Sequence, residues 1–348
     1  MFLAWKEIKH SKGKFSLIIS VIVLITYLVY FLTSLAYGLA SSYTNGISNL
    51  AADSIVLTEE SNDNPMMSAI TEEKFGELTF DGEKAKLGIT PVVIKNERDN
   101  TKINAYIFGV EIDSFIAKDK ISELNNYEAV VDSSLSKKGY NIGDNVKIVG
   151  IDHNVKIIAF NDKSTYQTAP IIYTTLLTFR DIRYGSHLVP LFNAIVIKGN
   201  FINNDSTLKQ YTINEYINTL PGYGAQVATF SIMIGFLIVI CSFVLGIFIY
   251  VLTTQKTSMF GVMKAQGISS FYIGKSVIFQ TLILIIIGIL IGFALTLATG
   301  FGLGSKIPFA PNYIFYLGIT LAFILFAILG ALFSVKIVLK IDPLKAIS

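Results

Sequence analysis

The sequence predicts an α-helical membrane protein with four transmembrane helices and an α/β extracytoplasmic domain inserted between helices 1 and 2. Three observations predict it. Of 348 residues, 52% are hydrophobic and only 15% charged, where an ordinary soluble domain has about 25% charged residues. The apolar residues gather in four charge-free runs, each near the ~20 residues needed to cross a hydrocarbon core. Most of the charges fall in one block, residues 53–225, between the first run and the second. A cytoplasmic enzyme, a secreted disulfide scaffold and a disordered chain are all disfavoured; the lone Cys241 sits in an apolar run and has no partner for an internal disulfide.

The first run, Phe15 to Tyr37, is too long for a secretory h-region of about 7–15 residues and reads as a retained helix. Uncharged sequence continues to Ala52, so residues 15–52 are expected to form transmembrane helix 1 with a stalk beyond the bilayer. The others are Gln226 to Leu252, Ser276 to Gly300 with its helix carried to 303, and Asn312 to Val335. Lysines mark the side that stays inside: Lys6, Lys9, Lys12 and Lys14 before the first span, Lys256, Lys264 and Lys275 between spans two and three, and Lys336, Lys340 and Lys345 after the fourth. Both termini (1–14 and 336–348) and the 253–275 connection are therefore expected in the cytoplasm, and the short LGSKIP loop around Lys306 outside. The block 53–225 has 17 basic and 23 acidic residues, a net of −6, against +9 for the rest of the chain. Anionic lipid headgroups account for the basic inner face, and no nucleic-acid signal is present.

Within the block, EAVVDS, NVKIVG, VKIIAF, APIIYT and NAIVIKG are short, β-branched and bounded by turn formers, the pattern of strands. ITEEKFGEL from Ile70 and STLKQYTINEYINTL from Ser206 read as helices, and 53–66 as a loop. Chemistry is harder to find. The segment Gly267–Ser276 ends in Gly-Lys-Ser, but a phosphate loop requires glycine at 269, where Ser269 stands; the chain reads as having no nucleotidase of its own. His10, His153 and His187 are scattered without metal-ligand spacing, GxSxG is absent, and the spans hold no Asp, Glu, Lys, Arg or His for an ion relay. A membrane enzyme and a transporter working by such a relay are both disfavoured. Gly288 and Gly292 form a GxxxG pair suited to close helix approach. Between spans two and three, Lys256, Met259, Phe260, Val262 and Met263 make a short amphipathic helix, with a break at Gly267; such a helix rests in headgroups or docks on a soluble partner.

KTSMFGVMKAQG, from Lys256 to Gly267, resembles the coupling segment of the FtsX/MacB family of ABC transporter permeases, in which a basic residue precedes a Gly-apolar-apolar-Lys/Arg-Ala-x-Gly core. The amino-terminal LAWKEIKHSKGKFSL, the Asp342-Pro343-x-x-Ala346 pattern and the strand pair around Gly143-Asp144 within 129–160 are similar to that family as well, as is the layout of spans. The resemblance implies a type VII ABC fold and a permease homodimer driven by two copies of a separate ABC ATPase, which would use the ATP. It assigns coupling to Lys256, Phe260, Gly261, Lys264, Ala265 and Gly267, and work by mechanotransmission through the first helix. The chain also resembles the haem-exporter permeases of that family, which would place Tyr166 and Tyr223 as haem contacts; phenolate oxygen ligates ferric haem. Resistance to antimicrobial peptides or antibiotics, and control of a cell-wall hydrolase, stay open as alternatives. The expected location is a bacterial plasma membrane, with haem as substrate and no stably bound cofactor.

Overall fold

A computed structural model describes residues 12–80, 82–96, 100–117, 121, 123–303 and 307–340. The amphipathic helix expected over 1–14, except its last residues, the terminal Asp342–Ala346 pattern and Lys306 lie outside the described residues. The chain divides into two compact units, Met1–Gly38 with Ala228–Ser348, and Leu39–Val227.

Helix α1 (Lys12–Ser48) runs unbroken; a proline-free apolar sequence offers nothing to stop it until Ala51, which takes a left-handed backbone (φ 53°). Among the described residues four helices are long and apolar enough to cross a membrane: Phe15–Ser48 of α1, α5 (Tyr223–Thr254), α7 (Ser270–Leu303) and Tyr313–Phe333 of α8 (Tyr313–Lys340). Helix α7 begins six residues before the expected 276, so Lys275 lies in its second turn, and α5 begins at Tyr223 rather than 226. The GxxxG pair serves packing inside the chain. A Cβ on Gly288 would lie 2.3 Å from Ile22 Cγ2, and one on Gly292 would lie 2.9 Å from Thr26 Cβ, so α1 and α7 approach as only hydrogen side chains permit. Hydroxyl pairs add polar contacts between the spans: Tyr27 with Thr299 at 3.2 Å, Tyr30 with Thr320, and Ser34 with Tyr316.

The inserted unit is built on a ten-stranded sheet. Its strands are β1 (Ser54–Thr58), β3 (Glu83–Lys95), β4 (Lys102–Val110), β5 (Glu128–Asp132), β6 (Asn145–Ile148), β7 (Asn154–Asn161), β8 (Thr165–Tyr166), β9 (Ala169–Thr175), β11 (Ala194–Lys198) and β12 (Leu208–Thr212); β2 (Ile70–Thr71) and β10 (Leu191–Phe192) form a separate pair. The order is β12-β1-β11-β3-β4-β9-β5-β7-β6, and β6 returns to β3 through Ile94↔Ile148 and Lys95↔Lys147, closing six strands into a ring. The thirteen-residue β3 makes this possible: its first half pairs with β11 and its last residues with β6.

Three expectations are corrected. Residues 54–58 form β1 rather than loop. The stretch read as one helix from Ser206 is β12 followed by α4 (Ile213–Thr219), and α2 (Glu72–Glu77) starts two residues after Ile70 because Thr71 caps it. In addition, β3, β4 and α3 (Leu176–Tyr184) appear where no element was expected. Gly88 and Gly109 stand opposite each other across β3 and β4, and Phe179 of α3 fills the space both leave; a Cβ at either would come within 2.4 Å of that side chain. Gly109→Val is therefore expected to destabilise the domain by about 1–3 kcal/mol, measured by urea unfolding followed by circular dichroism; an unshifted midpoint would contradict this packing.

Candidate functional site

Where α1 and α5 join the inserted unit, tyrosines converge. Tyr43, on the last turns of α1, lies with its ring centroid 6.0 Å from that of Tyr223, tilted by 33°. Its hydroxyl donates to the Pro221 carbonyl. Gly222 supplies a left-handed turn (φ 78°) just before Tyr223 opens α5, which fixes the approach of the two rings. Both are half-buried against the domain core. Tyr106, on β4, is half-buried too and donates its hydroxyl to Gln167 Oε1 at 3.0 Å.

Tyr166 stands differently from what the resemblance implies. It is 0% exposed, packed edge-on against Tyr106 and Phe108 at centroid distances of 4.9 and 5.6 Å, with its hydroxyl 3.2 Å from that of the equally buried Tyr216. Such a side chain presents no atom to a ligand. Burial also pushes its phenol up to about 12, far from the phenolate that binds ferric iron. Its place in the cluster is structural, under Tyr43 and Tyr106. Nothing in the sequence separates those two from the other tyrosines; of the expected pair only Tyr223 keeps exposed surface.

The buried phenols have a consequence for alkaline stability. Tyr166 and Tyr173 are both raised to about 12 by desolvation, whereas an unfolded tyrosine ionises near 10. Between those values the unfolded chain loses protons that the folded one keeps. Stability present below pH 10 is thus lost as pH rises toward 12. Tyrosinate absorbance is expected to show a late class that titrates only with loss of tertiary circular dichroism; a single step near pH 10 for all 17 tyrosines would refute it.

The coupling residues sit in the other unit, on α6 (Thr257–Ala265) and its end. Phe260 (3% exposed) and Gly261 are buried; Phe260 packs against Ile273 and Val277 of α7, so they anchor the helix rather than face a partner. Lys256 Nζ donates to Gln280 Oε1 at 3.1 Å and lies 4.7 Å from the Phe15 ring centroid, turned into the bundle. Exposed instead are Met259, Val262 and Ala265, three residues apart on one side, with Lys264 half-buried. The amphipathic pattern is thus split: Phe260 inward, Met259 and Val262 outward. Gly267 (φ 87°) closes the helix, its N–H donating to the Lys264 carbonyl while the Ile268 N–H donates to that of Met263, the paired bonds of a Schellman end.

The histidines are less scattered than their spacing suggests. His187 Nδ1 lies 3.3 Å from Asp181 Oδ1, Tyr127 donates to the other carboxylate oxygen, and the His153 ring lies 5.3 Å from that of Tyr127. Among the described residues no three His, Cys, Asp or Glu converge as a metal site.

Comparison with known proteins finds likeness to membrane permeases. Residues 231–343 match the model described as the FtsX-like permease C-terminal domain. The chain is also 27% identical, over 100% of its length and 99% of the relative's, to a Staphylococcus haemolyticus protein named as a hemin transport system permease, HrtB. The chain carries an FtsX-like permease C-terminal domain. A Staphylococcus epidermidis protein of the same name shares 25% identity over 100% of this chain and 99% of that one. Of solved structures, the extracellular domain of the noncanonic ABC-type transporter YknZ from Gram-positive bacteria aligns with 43% of this chain and 84% of its own, at 13% identity and TM-score 0.30, a level from which no shared fold follows. The matched domain and the helices together make the chain a multi-pass membrane protein.

Proposed function

We propose that this permease extracts haem from a bacterial plasma membrane to the outside, as a homodimer driven by two copies of a separate ABC ATPase, with both termini in the cytoplasm. The observation that carries the reading is the end-to-end likeness to permeases named for hemin transport. The Tyr43–Tyr223 pair supports it chemically: two half-buried aromatic rings offer a face for a porphyrin, and Tyr223 offers a phenol that, once deprotonated, ligates ferric iron. Work would enter at the exposed face of α6 and pass along α1, which continues as one helix into the inserted unit.

Haemin titration of the detergent-purified chain tests this by visible absorption. Saturable binding is expected, weakened about tenfold or more in Tyr223→Ala and in Tyr43→Ala and unchanged in Tyr166→Phe. Partition without saturation would overturn the haem reading, and saturable binding indifferent to Tyr223 and Tyr43 would overturn the tyrosine site.

A further inference from the structure

We propose that an open pocket in the inserted unit takes the carboxylate arms of the substrate, an inference that rests on the haem reading above. The pocket has a volume of about 640 Å3, within the range of about 300–1,000 Å3 common for small-molecule sites. One wall is β4, where alternation brings Lys102, Asn104 and Tyr106 to the same face while Ile103 and Ala105 turn into the core. The facing rim is Gln167 and Thr168, the turn between β8 and β9, and Lys138 stands beside it.

Charge is the first argument. Acidic residues outnumber basic ones by six over 53–225, yet the described residues lining this pocket include two lysines and no carboxylate. Lysine ammonium groups with amide and hydroxyl donors are the chemistry that holds a carboxylate. The second argument is preorganisation. Gln167 and Thr168 both have left-handed backbones (φ 49° and 65°), costly for residues with side chains. Their N–H groups are held by the Tyr43 and Ser42 carbonyls at 2.9 and 3.2 Å. The Lys138 carbonyl accepts from Asn96 Nδ2 at 3.0 Å, so that lysine's backbone is fixed as well. The third argument is adjacency: Tyr106 lines the pocket, and its hydroxyl bonds Gln167, whose N–H reaches Tyr43. A planar aromatic molecule with acidic arms would meet the Tyr106 ring and the Lys102 and Lys138 side chains in one pocket.

The test compares haemin with haemin dimethyl ester, in which both propionates are masked, on wild type and on Lys102→Gln/Lys138→Gln, with Lys147→Gln on β6 as a control. Wild type is expected to prefer haemin over the ester by about tenfold or more, a factor corresponding to about 1.4 kcal/mol. The double variant is expected to lose that preference by weakening for haemin alone, and the control to keep it. Saturable haemin binding with the preference intact in the double variant, or with no preference in wild type, overturns the pocket while leaving the haem reading in place. If wild type binds neither compound saturably, the haem reading falls and the pocket with it. Each single lysine variant repeats the comparison should the double variant misfold.

Discussion

Gly46→Leu is expected to part the end of α1 from the β8–β9 hairpin and to lower export at least tenfold while ATP hydrolysis by the complex continues. A Cβ at position 46 would lie 2.3 Å from Ile171 Cδ1 and 3.2 Å from the Thr165 carbonyl oxygen. The isoleucine tip can yield, but the backbone oxygen cannot follow, and a leucine needs further volume in a packed core. Around this contact the helix is tied to the hairpin by Asn45 Nδ2 to Thr165 Oγ1 at 3.2 Å, Asn49 Nδ2 to the Lys163 carbonyl at 3.1 Å, and Gln167 N–H to the Tyr43 carbonyl at 2.9 Å. Overpacking costs about 1–3 kcal/mol, and each hydrogen bond lost removes about 0.5–1.5 kcal/mol more. Gly46→Ala should be milder. Thermal unfolding and export assays of both variants check the order, and wild-type export by Gly46→Leu would sink the idea that motion enters the domain here.

Gly267→Pro strikes the other end of the proposed route. Proline holds φ near −65°, whereas position 267 sits at +87°; it also lacks the N–H that closes on Lys264. A nine-residue helix has little to spare, since short helices rely on their ends and their packing. The last turn, with Lys264 and Ala265, is expected to unwind while Phe260 keeps the first turn seated on α7. In a complex reconstituted with the proposed ATPase, hydrolysis should persist with export reduced tenfold or more, and Lys264→Glu should act in the same direction. Normal export by both variants would remove α6 from the coupling route.

The four spans were legible because crossing a bilayer demands about twenty apolar residues in a row. Strands β5, β6, β7, β9 and β11 announced themselves by β-branched runs between turn residues. Strand β3 did not: Gly88 and Pro91 interrupt its pattern, and Gly88 is there for Phe179, far off in sequence. Strand β12 was absorbed into a neighbouring helix by composition, although the true boundary is written locally, in the reciprocal bonds between Thr212 and Glu215 that form a capping box. At the site, the type of residue was legible and its exposure was not. Tyr166 and Tyr223 look alike in the chain, and only the fold puts one inside the core and the other beside Tyr43. Likewise Lys102 on β4 and Lys138, at the end of the Ser133–Lys138 turn that follows β5, share a pocket only in the fold.

The return of β6 to β3 bears on compliance. In an open sheet, a push on one strand is dissipated by splaying the free edges. In a ring each displaced strand must move its neighbours on both sides, so deformation would require breaking a ladder of hydrogen bonds rather than bending it. The β8–β9 hairpin belongs to this ring through β9, and α1 grips that hairpin. On the proposed route, displacement along α1 would move the ring as one stiff piece, with the segments outside the ring as the soft elements.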